Sequence, residues 1–136
     1  HTPIALENVL NTINEIRTKN ENIITVVGCG GNRDKRKRPL MANKAASLSD
    51  KVIFTSDNPR NENPKKIIED MLKGVSPIDF KKIIQIIDRE EAIIESERIS
   101  QPGDIVLIAG KGHENFQEIN GKKNHFDDYE IVKKHF

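Results

Sequence analysis

The chain has 136 residues, 35% hydrophobic and 32% charged, and its 22 Lys and Arg nearly balance 21 Asp and Glu to leave a net charge of +1. That length suits one domain with a three-layer core, and the balanced charge argues against a general nucleic-acid or anionic-membrane binder, which carries a large excess of one sign. The single cysteine, Cys29, excludes an internal disulfide, and the absence of a signal-peptide pattern or a bilayer-length apolar run points to the cytoplasm and to small-molecule partners.

Thr2-Pro3 reads as a helix N-cap followed by proline at the first helical position, and Leu6, Val9, Leu10, Ile13 and Ile16 recur at helical spacing, predicting a helix to about Lys19. Ile23 to Val27 is a β-branched run that ends in Gly28-Cys29-Gly30-Gly31, a buried strand passing into a glycine loop. Pro39 opens a second predicted helix through Leu48, and Val52 to Thr55 is the next strand. Asn63-Pro64 caps a third helix whose Ile67, Ile68, Met71 and Leu72 share one face before Gly74 ends it. Ile83 to Ile87 reads as a strand, Glu90 to Arg98 as a helix, Pro102-Gly103 as a turn and Ile105 to Ile108 as a fourth strand. Strands alternating with helices imply right-handed β-α-β crossovers, hence a Rossmann-like α/β domain with a mainly parallel sheet covered on both faces. The tail breaks that rhythm. Asn120-Gly121 between Phe116–Ile119 and Lys123–Phe126 signals an antiparallel hairpin, and residues 127–136 form a closing helix.

In an open parallel sheet, ligands bind beyond the carboxyl ends of the strands. The loops after the first, second and fourth strands therefore emerge along one edge, and they carry Arg33, Asp34, Asp57, Asn58, Arg60, Lys111, His113 and Glu114 among glycines. This mixture suits a zwitterion. Guanidiniums fork onto a carboxylate, whereas an ammonium needs acceptors such as Asp57, Asn58 or Glu114, and an amino acid supplies both groups.

Three ordered segments make the reading specific: residues 28–34 continuing through Lys37-Arg38-Pro39-Leu40-Met41, then Asp57-Asn58-Pro59-Arg60, then Gly110-Lys111-Gly112-His113-Glu114. Together with the opening His1-Thr2-Pro3 they resemble, over essentially the whole chain, the C-terminal domain of the Mur ligases, and within them the branch that builds the muramoyl tripeptide. The resemblance implies an ATP-dependent ligase that converts the terminal carboxylate of a UDP-muramoyl dipeptide to an acyl phosphate, which the amine of a diamino acid attacks. It further implies that Arg33, Asp57, Asn58, Arg60, Gly110 and Glu114 contact the diamino acid, and that arginine at position 60 accompanies meso-diaminopimelate. A lysine-adding ligase of the same family is the alternative. Diaminopimelate differs from lysine by a distal carboxylate, so a site with Arg33 and Arg60 at that end would strand cations if lysine entered. The resemblance places the ATP, Mg²⁺ and UDP-sugar sites in N-terminal and central domains outside this chain, so we expect an inactive monomeric fragment with no bound cofactor and no catalytic residue of its own. It departs from the family at Asn32, where aspartate is usual, and at Arg36, where glycine is frequent.

Other readings are weaker. A free-standing Rossmann-like module for a nucleotide or phosphate would use Gly28 to Gly31, but neither a Gly-x-Gly-x-x-Gly nor a Gly-x-x-x-x-Gly-Lys-Ser/Thr pattern is present. The run Arg33 to Arg38 resembles a polyanion patch, against which stand the low net charge and few aromatics. His113 has no sequence-linked nucleophile and reads as a loop-ordering residue, while His1 and Lys111 face the ATP side or order their loops. Cys29 reads as a small residue in tight space, and His125 and His135 do not make a metal site.

Overall fold

The computed structural model describes residues 2–18, 20–111 and 114–136, so the expectations for His1, the helix end at Lys19, Gly112 and His113 lie outside the described residues. Four parallel strands make one sheet, β1 (Ile23–Val27), β2 (Lys51–Phe54), β3 (Ile83–Gln85) and β4 (Ile105–Ile108), in the order β3-β2-β1-β4. The register sets Thr25 beside Val52 and Leu107, and Ile53 beside Ile84. All five residues of β1 are buried, as the continuous Ile-Ile-Thr-Val-Val run requires of a central strand covered on both faces.

Helices α1 (Pro3–Ile16), α2 (Lys37–Leu48) and α3 (Pro64–Leu72) cover one face, while α4 (Arg89–Ile99) and α5 (Asp128–His135) cover the other. On the first face Leu6, Leu10, Met41, Ile67, Ile68 and Met71 pack against Ile23, Val27, Val52 and Phe54. The alternate residues Val26 and Ile53 turn to the second face and meet Ala92 and Ile93. A separate antiparallel pair, β5 (Phe116–Ile119) and β6 (Lys122–His125), is joined through Asn120 and Gly121 at φ of 51° and 78°, the left-handed pair that a two-residue hairpin turn demands.

Side-chain caps set most helix starts: Thr2 accepts from the Ala5 amide, Asn63 from Lys65, Asp88 from Glu91, and Asp127 from Tyr129. Boundaries shift at three places. α1 stops at Ile16 because Arg17 turns extended and spends its guanidinium on the Glu21 carbonyl (3.1 Å) and the Asp50 carboxylate (2.6 Å). α2 begins two residues before Pro39, whose missing amide costs nothing in a first turn where amides have no helical partner. A 3₁₀ helix at Pro77–Lys82, which no helical periodicity announces, leads into β3, and β3 stops at Gln85, short of the expected Ile87.

Candidate functional site

Because all four strands are parallel, the segments after β1, β2 and β4 leave the same edge, and they meet there around a cavity of about 210 Å³. Gly28, Cys29, Gly30, Arg33, Asp57, Asn58, Arg60 and Glu114 line it, and α2 adds Lys37, Arg38 and Met41. Five of the six residues expected to hold the diamino acid therefore share one cavity. Gly110 stands beside it at φ 111°, on the adjoining groove lined by Leu6, Leu107, Lys111 and Glu114.

The loop after β2 is held on every side. Asn58 donates to Glu114 Oε1 (3.1 Å), and its Oδ1 accepts from Lys111 Nζ (2.9 Å) and the Glu118 amide (2.9 Å). Gln117 donates to the Asp57 carbonyl (2.9 Å). Arg60 occupies a left-handed conformation, φ 52°, which a non-glycine residue holds only when its surroundings impose it. Its amide donates to the Glu118 carbonyl (2.8 Å) and its carbonyl accepts from Asn120 (2.7 Å). Its Nη1 donates to the Gly31 carbonyl (2.9 Å), and its Nε lies 3.3 Å from Glu118 Oε1.

Lys111 is buried. Its ammonium contacts Asn58 Oδ1, the Phe116 carbonyl (2.9 Å) and, as a charge pair 3.0 Å away without hydrogen-bond alignment, Asp57 Oδ1. These contacts tie the loop after β4 to the loop after β2 and to the hairpin. The first loop is different: Arg33 is exposed and donates to the carbonyl of its neighbour Asn32 (3.1 Å). Asn32 sits at φ 53°, a conformation that asparagine and aspartate adopt more readily than other non-glycine residues, so its departure from the family pattern is conformationally neutral.

Three supports were hidden in the sequence. Arg38 belongs to the basic run yet is 1% exposed, bonding Asp70 (3.0 Å), Glu62 (2.8 Å) and the Gly30 carbonyl (3.1 Å). Burial opposes its charge, and the two carboxylates outweigh that cost and hold its pKa above the ordinary value. Arg89, fully enclosed, pairs with the largely buried Asp128 at 2.7–2.8 Å, and its guanidinium also reaches the Ser56 and Ala109 carbonyls just beyond β2 and β4. Glu118 on the hairpin meets both Arg60 and Asn58. Only the last carried a sequence signal, since it faces the loop by strand alternation once the hairpin is drawn.

The cavity presents charges of both signs. Burial pushes the Cys29 thiol up to about 12, so it stays protonated and non-nucleophilic at neutral pH. Among the described residues no group of three or more His, Cys, Asp or Glu is placed to hold a metal ion. The glycine loop does not fit a phosphate: the Gly31 amide donates to the Asn58 carbonyl (2.7 Å), Asn32's goes to Glu62, and α2 starts six residues beyond Gly31 rather than at it. No step through ATP or Mg²⁺ is therefore assigned to these residues. No helix among the described residues is long and apolar enough to cross a membrane.

Residues 1–112 match the family model described as Mur ligase, glutamate ligase domain. The chain is 59% identical over 98% of its length to a protein of Phocaeicola vulgatus, and 57% identical over its whole length to one of Bacteroides thetaiotaomicron, both named UDP-N-acetylmuramoyl-L-alanyl-D-glutamate--2,6-diaminopimelate ligase. It spans 28% of the length of each. A solved structure of a ligase with that name superposes with TM-score 0.91 at 47% identity, covering 99% of this chain and 27% of that one. A folylpolyglutamate synthase of Thermotoga maritima, 18% identical over 79% of this chain and 23% of its own with TM-score 0.53, shares the fold alone. The chain belongs to the Mur ligase family, as its C-terminal, glutamate ligase domain.

Proposed function

We propose that this chain is the amino-acid-binding domain of a longer ligase that uses ATP to join meso-diaminopimelate to UDP-N-acetylmuramoyl-L-Ala-D-Glu in cell-wall peptide synthesis. The carrying observation is the cavity at the strand ends, which the Arg60 guanidinium and the Glu114 carboxylate both line, with Asp57 and Asn58 beside them. The names of the relatives support the same substrate. Arg60 Nη2 makes no hydrogen bond among the described residues, and Arg33 is exposed; together they offer two cations to the distal carboxylate. Glu114 spends Oε1 on Asn58 and turns its other oxygen to the distal ammonium. Asp57, neutralised by Lys111, shapes the loop more than it binds.

On this reading the domain contributes position. It holds the attacking amine oriented toward an acyl phosphate formed on other domains, which turns an encounter of two reactants into an effectively intramolecular step. ATP, Mg²⁺ and the UDP-sugar are bound by those other domains, the protein works in the cytoplasm, and this domain carries no catalytic acid or base. The test is ADP release by the complete ligase with the UDP-dipeptide and either meso-diaminopimelate or L-lysine. We expect a preference of about 10³-fold or more for diaminopimelate, since a site built to pair a polar group rejects the analogue lacking it. Equal rates would overturn the assignment in favour of a lysine-adding ligase.

A further inference from the structure

We propose that Glu118, on the hairpin, is a positioning residue that aims the Arg60 guanidinium and thereby sets affinity for the distal carboxylate of the amino acid; this rests on the reading of Arg60 given above. The hairpin follows the last of the three strand-end loops, yet its first strand touches nearly every part of the loop after β2. Gln117 binds the Asp57 carbonyl, the Glu118 amide binds Asn58 Oδ1, and the Glu118 carbonyl receives the Arg60 amide. A parallel bridge pairs Arg60 with Ile119, and this pairing holds the left-handed backbone at Arg60.

The guanidinium has three nitrogens, and two are already committed. Nε is drawn to the Glu118 carboxylate as a charge pair 3.3 Å away without hydrogen-bond alignment, and Nη1 donates to the Gly31 (2.9 Å) and Asn58 (3.4 Å) carbonyls. The Arg60 side chain, on the cavity wall, is 16% exposed and that of Glu118 26%, so the pair is only partly screened by water. Fixing Nε and Nη1 fixes the plane of the group, and the remaining Nη2 edge then points one way. A flexible arginine would lose rotamer entropy on binding a carboxylate, and one already oriented loses much less.

The complete ligase supplies the test, through KM and kcat for meso-diaminopimelate at saturating ATP and UDP-dipeptide. Glu118→Ala should raise KM about fivefold, the scale of a partly buried charge pair, with kcat within about twofold. Glu118→Gln keeps the reach but loses the charge and should raise KM about as far as Ala does. On an Arg60→Ala background, Glu118→Ala should add less than about twofold, because its effect passes through Arg60. An unchanged KM in Glu118→Ala, an equal rise on both backgrounds, or a Gln variant as good as the parent would overturn the proposal. If Glu118→Ala does not fold, Glu118→Asp keeps the charge but shortens the reach, and an unchanged KM there overturns it equally. Should Arg60→Ala itself leave KM unaltered, the reading of Arg60 fails; should it raise KM while Glu118→Ala does not, only the role of Glu118 fails.

Discussion

Arg33 and Arg60 reach the same cavity from loops of opposite character. Arg60 is enclosed, held through its backbone by the hairpin and through its guanidinium by Glu118 and two carbonyls. Arg33 is exposed, with a single side-chain hydrogen bond to the residue before it. The contrast separates two ways of meeting a carboxylate: one cation is oriented before the ligand arrives, and the other orders as it arrives and gives back part of its interaction as lost side-chain freedom. Selectivity should therefore rest on the fixed arginine, and the exposed one should add affinity.

Breaking the fixed side is expected to have the largest effect. Arg60→Glu places an anion against the distal carboxylate and should lower kcat/KM for diaminopimelate in the complete ligase by about 10³-fold or more, with the folded-state circular dichroism unchanged. Removing the strut below that side tests stability. Asp128→Ala leaves Arg89 buried without its carboxylate and should lower unfolding stability by about 3 kcal/mol in a urea titration. The joint between the two loops comes next. A methyl group at position 31 would run into the Pro59 carbonyl, so Gly31→Ala should cost about 2 kcal/mol and weaken diaminopimelate binding by displacing the loop that carries Arg60. On the exposed side, Arg33→Ala should raise KM for diaminopimelate only about tenfold and leave the parent's preference over lysine within about threefold, which sharpens the distinction between the two arginines. The smallest effect concerns Cys29: with its thiol near 12, alkylation of the folded chain should be negligible at pH 8 and become rapid only in denaturant.

The fold was legible because its signals are local and repeated. Four apolar runs, the alternating helices, the caps at Thr2 and Asn63, and the Asn120-Gly121 turn each specify an element without reference to the rest of the chain. Boundaries were less legible where a tertiary contact decides them, as when Arg17 leaves the helix to reach Asp50. The lining of the cavity followed from parallel topology, which brings distant strand ends together. What supports that lining did not. Arg38 and Arg89 look like ordinary surface charges in sequence, and only the carboxylates at Asp70, Glu62 and Asp128, 24 to 39 residues away, make their burial tolerable. Lys111 is a further case: as one lysine in a glycine loop it reads as flexible, whereas Asn58, Asp57 and the Phe116 carbonyl enclose it completely. Pairings of that range have no periodicity, so nothing in the one-dimensional pattern reports them.

If this domain by itself holds the diamino acid at the ends of β1, β2 and β4, with Arg60 on its distal carboxylate, an NMR titration of the chain with meso-diaminopimelate, and separately with L-lysine, will show it, because shifts detect even millimolar binding, worth about −4 kcal/mol. We expect perturbations confined to Arg33, residues 57–60, Gly110, Glu114 and the facing Glu118, produced by diaminopimelate and not by lysine. Equal perturbations by both amino acids, perturbations elsewhere in the domain, or none at about 10 mM ligand would contradict it.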